Sequence, residues 1–95
     1  MTRTLVVTSE AESEIDQAAD WYDQRSRRSA VGFRDAVNKA FDTIRDNPEQ
    51  YQIIYRQTRR VLLDGYPYAL FYLVSETQVK VVSCFHTARD PKLWR

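Results

Sequence analysis

The sequence is poor in the residues that form disulfides, metal sites and phosphate loops. Its 95 residues include one cysteine, one histidine, two glycines and three prolines. The single cysteine, Cys84, excludes an internal disulfide, and with only His86 beside it no Cys/His metal set is possible. The two glycines lie far apart, so no glycine-rich phosphate loop is present, and no serine stands in a nucleophile-elbow sequence. Most classes of metabolic enzyme are therefore not expected, and neither is a metal or other cofactor.

Long apolar runs are absent as well. No stretch approaches the ~20 residues that a membrane span needs, and the N-terminus lacks the basic region and apolar run of a secretory signal. We therefore expect a cytoplasmic protein that does not contact a membrane. A hydrophobic fraction of 43% and an aromatic fraction of 13% exclude a disordered tail. This length and composition predict a single globular domain over residues 1–95.

An excess of charge of one sign is missing too, because the net charge is +1. The distribution is uneven: residues 1–24 hold six acidic residues and one basic residue, whereas residues 47–95 hold seven basic and four acidic residues. A positive excess of this size is a weak electrostatic footprint for nucleic acid, and an ordinary solvated surface explains it at least as well. Charge alone therefore identifies no partner.

The N-terminal half predicts one strand and two helices. A β-branched run at residues 4–8 indicates the strand. Ser9 opens a capping-box pattern, which predicts that Ser9 caps a helix ending near Gln24. After a basic connector at residues 25–29, a second helix should end at Asn47, because the residue before a proline leaves the helical region. The short connector predicts an antiparallel helical hairpin.

The C-terminal half predicts strands alone. Short extended runs at residues 53–55 and 59–63 precede two longer runs, at residues 68–74 and 79–85, which flank a polar turn and indicate a β-hairpin. The 68–74 run is apolar on both faces, so it should be central, with the helices covering one face. The predicted fold is α+β: an N-terminal strand, an antiparallel helical hairpin and a three- to four-stranded antiparallel sheet. The aromatic residues predicted for the core are Tyr22, Phe33, Phe41 and Phe71.

Basic and aromatic residues remain once the predicted core is set aside. Arginine forks suit phosphates and carboxylates, nucleobases stack on exposed rings, and histidine transfers protons near neutral pH. The candidates for a target-binding surface are Arg59, Arg60, Tyr66, Tyr68, His86, Arg89 and Trp94. The candidates for catalysis, if the chain cleaves RNA, are His86, Arg89, Arg60 and Arg59.

Each candidate also has a structural interpretation. Tyr68 can pack across strands, Trp94 can fold back over the sheet or the helices, and Arg59 or Arg60 can pair with an acidic helix residue. A histidine at a strand end, like His86, is often a hydrogen-bonded structural residue. The sequence by itself leaves these alternatives open.

Five motifs spread over nearly the whole chain carry a family resemblance. They are Ala18-Ala19-Asp20-Trp21-Tyr22, the helical pattern from Phe33 to Ile44 ending at Asn47-Pro48, Arg59-Arg60-Val61-Leu62-Leu63, the run from Tyr66 to Tyr72, and His86-Thr87-Ala88-Arg89-Asp90-Pro91-x-x-Trp94. Together they resemble the RelE/ParE toxin superfamily of type II toxin–antitoxin modules. The combination from Arg60 to Trp94 is specific, whereas any one motif alone is weak.

The resemblance implies a toxin that a cognate antitoxin neutralises, in complexes that include oligomers with the antitoxin. It also implies one of two targets: RelE-like members cleave mRNA in the ribosome, and ParE-like members inhibit DNA gyrase without a nuclease site. The tail, which is poor in lysine and carries Trp94, is more similar to the ParE-like branch. The alternatives are a ribosome-dependent endoribonuclease that uses His86 and Arg89, and a member that only binds its partner.

The connector between the two predicted helices is the expected antitoxin contact. Arg25, Arg27 and Arg28 lie there beside helices with large apolar faces. An acidic, partly amphipathic segment can lay its apolar side chains on the helices and pair with these arginines. We also expect the C-terminal end of the last strand to lie beside Arg59 and Arg60.

Overall fold

The structure is a computed structural model that describes residues 3–88. Arg89 and Trp94, two of the predicted target-binding residues, lie outside the described residues. The elements, in chain order, are β1 (Thr4–Val7), α1 (Ser9–Asp23), α2 (Arg27–Asp46), a 3-10 helix (Pro48–Gln50), β2 (Ile53–Tyr55), β3 (Thr58–Leu62), β4 (Tyr68–Val74) and β5 (Gln78–His86).

The strands form one mixed sheet in the order β1-β5-β4-β3-β2. β2, β3, β4 and β5 pair antiparallel in succession, as a chain of short hairpins does. β1 pairs parallel with β5 at the edge of the same sheet, with Val7 opposite Val81. The predicted α+β fold, with its N-terminal strand, helical hairpin and antiparallel sheet, is confirmed. The structure adds that the N-terminal strand joins the sheet and brings it to five strands.

The two helices cover one face of the sheet and enclose the core. The apolar stripe of α2 is buried, and alternate residues of β4 meet it from the sheet, as helical and strand periodicity require. β4 is the central strand and is buried on both faces, as predicted, since Ala69 and Phe71 on the face away from the helices are 0% and 4% exposed. The largest side chains with no significant exposure are Tyr72, Phe33, Ile44, Leu70, Val79 and Val81.

Two of the four aromatic residues predicted for the core lie at its margin instead. Phe33 and Phe71 are buried, whereas Tyr22 and Phe41 are half-buried and pack against the core from its edge. Ala40 takes the inward position on α2, so its neighbour Phe41 turns toward the space between the two helices. A one-residue step rotates a helical side chain by about 100°, which explains the difference.

The cap of α1 differs from the predicted one by a residue. Thr8 is the N-cap, because its backbone is extended and its Oγ1 accepts a hydrogen bond from the Ala11 amide at 3.1 Å. Ser9 is the first helical residue, so the prediction for Ser9 was wrong: a local pattern does not show where the backbone leaves the extended conformation of β1. The C-terminal boundary was predicted well, because Gln24 is the C-cap.

Within residues 3–88, no helix is long and apolar enough to cross a membrane. In the same part of the chain, no three His, Cys, Asp or Glu side chains come together in a way that would hold a metal ion. Cys84 is buried, and this burial raises the pKa of its thiol to about 12, with the Glu14 carboxylate adding to the effect. The thiol is therefore protonated at neutral pH and acts as a small core group.

Candidate functional site

The adjacent arginines of β3 point to opposite faces of the sheet. Arg59 pairs with Tyr72 on the helix side, and its Nη1 donates to the carbonyl oxygens of Glu49 at 3.2 Å and Tyr51 at 2.5 Å. Arg59 therefore fastens the loop that joins α2 to β2. Arg60 is exposed on the other face, as the alternation of a strand requires. The two guanidinium groups are directed to different surfaces.

Tyr66, Tyr68 and His86 belong to an aromatic cluster on the helix side of the sheet. The His86 ring meets the edge of Tyr68 at a centroid distance of 5.0 Å, and the Tyr66 hydroxyl donates to the Ser29 carbonyl at 2.9 Å. His86 Nδ1 accepts from the Ala88 amide at 3.2 Å, so the neutral ring carries its proton on Nε2. The cluster is completed by Tyr22 and Phe33.

The register of the sheet separates His86 from both arginines. β4 lies between β3 and β5, and His86 pairs with Tyr68, whereas Arg60 pairs with Phe71 three residues further along β4. Two strand spacings and three residues of rise put the His86 and Arg60 backbones roughly 14 Å apart. The expectation that the end of the last strand lies beside Arg59 and Arg60 was wrong, because β3 and β5 are not neighbours.

The basic connector is shorter than predicted. Ser26 caps α2 by accepting the Ser29 amide at 3.2 Å, so the helix begins at Arg27. The connector is therefore a tight turn of residues 24–26, and Arg27 and Arg28 belong to the first turn of α2. The sequence pattern hid this start because serine and arginine occur on both sides of it.

Two of the three connector arginines have partners within α1. The Arg25 guanidinium lies 3.6 Å from the centre of the Trp21 ring and donates to the Trp21 carbonyl at 2.8 Å. Arg27 pairs with Asp23 at 3.0 Å. Arg28 is exposed. The end of the helical hairpin therefore presents the Trp21 ring covered by the Arg25 guanidinium, and the exposed Arg28 follows three residues after Arg25.

A groove of about 350 Å³ lies between α1 and α2, and we call it the interhelical groove. Val7 and Phe41, both half-buried, contribute apolar surface, and an ion pair between Arg34 and Asp16 at 3.2 Å crosses its rim. A second hollow of about 220 Å³ shares Arg34 and continues toward the C-terminal end of α1. The residues that line the interhelical groove are Val7, Glu12, Ile15, Asp16, Arg34, Val37, Asn38 and Phe41.

Two residues with prominent contacts were missed in the sequence. Trp21 is 42% exposed and supports Arg25; its signal was a large aromatic residue next to the apolar stripe of an amphipathic helix. Glu14 Oε1 accepts from the Ser83 hydroxyl at 3.1 Å and from the Cys84 amide at 2.9 Å. No sequence signal marks Glu14, because these partners lie 69 and 70 residues away.

The fold can be compared with those of known proteins. The structure is similar to a chain described as the chromosomal ParDE toxin–antitoxin system from P. aeruginosa, with a TM-score of 0.79. The match covers 90% of this chain and 96% of that chain at 13% sequence identity, so it establishes a shared fold. A sequence search finds no matching curated protein.

The β-strand, helical hairpin and antiparallel sheet thus form the fold that this chain shares with that ParDE chain. The profile of the ParE toxin of the type II toxin–antitoxin system parDE matches residues 5–91. The chain therefore belongs to the ParE toxin family of type II toxin–antitoxin systems. This confirms the resemblance found in the sequence motifs.

Proposed function

We propose that this protein is a cytoplasmic toxin that inhibits DNA gyrase by docking on it, and that a cognate antitoxin neutralises it by binding the helical hairpin. Membership of the ParE toxin family supports the proposal. The observation that carries the choice of target is the separation of Arg59, Arg60 and His86 over two faces of the sheet and over two strands, β3 and β5, that are not neighbours.

A nuclease needs its base and its phosphate-binding cations around one scissile phosphate. Here Arg59 donates to two backbone carbonyls, Arg60 is on the opposite face, and His86 packs against Tyr68 two strands away. This arrangement favours a docking surface over a nuclease site built from these three residues. RelE-like mRNA cleavage is the competing outcome of the experiment below.

The choice of target is tested by adding the purified toxin to a gyrase supercoiling reaction and, in parallel, to ribosomes translating a defined mRNA. We expect loss of supercoiling and intact mRNA. His86→Gln keeps a hydrogen-bonding side chain but removes the imidazole that a nuclease would use to transfer a proton, so it should inhibit gyrase as the wild type does. Ribosome-dependent cuts that disappear with His86→Gln would overturn the gyrase proposal in favour of a nuclease.

The tail residues Arg89 and Trp94 remain predicted contacts for the target. A tryptophan anchor of an interface is commonly worth 2 kcal/mol or more, so Trp94→Ala should weaken gyrase inhibition by about 30-fold. Lys92→Ala, in the same tail, serves as the control and should have little effect. Equal potency of both variants would remove Trp94 from the docking surface.

The antitoxin proposal combines the connector arginines with the interhelical groove. The apolar surface of Val7 and Phe41 suits the apolar side of an amphipathic segment, and the acidic residues Glu12 and Asp16 suit cationic side chains on it. Acidic side chains of the same segment would meet Arg25, Arg27 and Arg28 at the end of the hairpin. The segment is thus expected to carry cations toward one end and acids toward the other.

Charge reversal tests this placement. Changing Arg25, Arg27 and Arg28 together to Glu should weaken antitoxin binding at low salt by at least about tenfold, measured by titration calorimetry. The control is Lys80→Glu, which reverses an exposed charge on the sheet face away from the helices and should leave affinity unchanged. Equal low-salt affinities for the triple variant and the wild type would contradict the siting.

A further inference from the structure

The side-chain alternation of β5 reverses at a bulge. Val82 is the extra residue, because Val81 and Ser83 pair with consecutive residues of β4. Before the bulge Val81 faces the helices; after it Cys84 and His86 do, although an unbroken alternation from Val81 would send both to the opposite face. The bulge therefore decides on which face of the sheet His86 lies.

Helix α1 and its cap satisfy the polar groups around this bulge. Glu14 Oε1 accepts both the Cys84 amide at 2.9 Å and the Ser83 hydroxyl at 3.1 Å. The Thr8 hydroxyl, which also caps α1, donates to the Val82 carbonyl at 3.5 Å. Cys84 and Ser83 are 4% and 7% exposed, so water has little access to replace the carboxylate. A single glutamate thus bonds two successive residues just after the irregularity.

We propose that Glu14 is a positioning residue, which fixes the bulge at Val82 and thereby the face on which His86 and the end of β5 meet the target. The identity of that target rests on the function proposed above. Without Glu14, a buried amide and a buried hydroxyl lose their acceptor, which removes the preference for this bulge position. A shift of register by one residue would then turn Cys84 outward and Phe85 toward the helices.

The test compares Glu14→Ala with Glu14→Gln, whose amide oxygen still accepts hydrogen bonds. Glu10→Ala, an exposed residue of the same helix, is the control. Two structural readouts are hydrogen exchange of the Cys84 amide and thiol labelling of Cys84 in the folded protein. We expect both to accelerate by at least about tenfold in Glu14→Ala, with amides of α2 unchanged, and to remain near wild type in Glu14→Gln and Glu10→Ala.

The functional readout is gyrase inhibition below the unfolding temperature of each variant. We expect Glu14→Ala to lose potency by about tenfold or more and Glu14→Gln to retain it. Rescue by glutamine distinguishes positioning from a general loss of stability, which the α2 amides report. If Glu14→Ala does not fold, Ser83→Ala removes one of the two hydrogen bonds and should give a smaller acceleration of the same amide.

The outcomes separate the two proposals. Wild-type exchange and labelling rates in Glu14→Ala would overturn the role of Glu14 at the bulge. An opened bulge with full gyrase inhibition would overturn its role in presenting the docking surface. A wild-type protein that inhibits no gyrase would refute the proposed target, while the Cys84 rates would still decide whether Glu14 sets the register of His86.

Discussion

The substitution Tyr72→Phe tests the centre of the molecule. Tyr72 is 0% exposed, and its hydroxyl donates to the Pro48 carbonyl at 2.7 Å. This bond joins the middle strand of the sheet to the 3-10 helix that follows α2. Phenylalanine keeps the ring in place, removes the donor and deprives the buried carbonyl of this partner.

Leaving a buried polar group without its partner costs about 1–3 kcal/mol. In a domain of 60–100 residues, each kcal/mol lowers the melting temperature by about 4–8 °C. We therefore expect Tyr72→Phe to fold, to unfold at a temperature lower by several degrees at pH 7, and to retain its activity when assayed in the cold.

The same residue gives a pH signature. Burial is the main cause that raises the pKa of Tyr72 to about 12, and the Arg59 guanidinium opposes it. Because the folded pKa lies above the ordinary value, the stabilisation is complete below about pH 10 and is lost as the pH rises toward 12. Phenylalanine does not titrate, so the stability gap between the two proteins should narrow over this range, by up to about 2.7 kcal/mol at 1.36 kcal/mol per unit.

The measurement is urea unfolding of wild type and Tyr72→Phe at pH 7, 9 and 11, followed by circular dichroism. Titration of Cys84 is common to both proteins and cancels in their difference. Tyr55→Phe is the matched control, because Tyr55 is half-buried and its hydroxyl makes no hydrogen bond within residues 3–88; it should lie within about 0.5 kcal/mol of wild type. Equal unfolding midpoints for the two phenylalanine variants at pH 7, or a gap that stays constant up to pH 11, would refute the reasoning.

Three further predictions concern packing. A change of glycine to alanine stabilises most helices. Gly32→Ala should instead lower the free energy of unfolding by about 1–3 kcal/mol, measured by thermal unfolding, because the added Cβ would overlap the Tyr66 hydroxyl. Tyr66→Phe should partly restore the stability of this variant, whereas a Gly32→Ala protein more stable than the wild type would contradict the close approach. Phe33→Ala should lower the free energy of unfolding in urea by about 3–5 kcal/mol, and Phe41→Ala should lower it clearly less, because Phe41 is only half-buried. Of the two variants, only Phe41→Ala should also weaken antitoxin binding, because Phe41 lines the interhelical groove. Equal losses of stability would place Phe41 in the core. Cys84 should react with a thiol reagent only as fast as the wild-type protein opens, so labelling as fast as that of the unfolded chain would show that the thiol is not buried.

Local periodicity determined the helices and the central strand. Phe33, Val37 and Ile44 recur at helical spacing, and all three are buried against the sheet. The run from Tyr68 to Val74 is apolar at successive positions, which is typical of a strand that is covered on both faces. These features depend on neighbours within a few residues, so the sequence alone suffices to predict them.

The candidate site was predicted less well. The sequence marked Arg59, Arg60 and His86 as chemically capable residues, and all three end in different surroundings. Their separation follows from strand order and from the alternation of faces along β3, and residue types carry information about neither. The contact of Arg25 with Trp21, four residues earlier in the chain, had a signal in the large aromatic residue beside the apolar stripe of α1, and this signal was missed.

The tertiary structure alone decided the position of β1 and the face of His86. β1 pairs with β5 across 74 residues of sequence, at Thr4 and Gln78, and no local pattern specifies that parallel contact. The bulge at Val82 reverses the alternation on which a strand prediction relies. The Cys84 amide just after it donates to Glu14, which lies on α1, 70 residues earlier in the sequence. The sequence determined which segments are helix and strand, because those preferences are local. The arrangement of charges and rings on the surface depends on contacts between segments far apart in the chain, so only the folded molecule determines it.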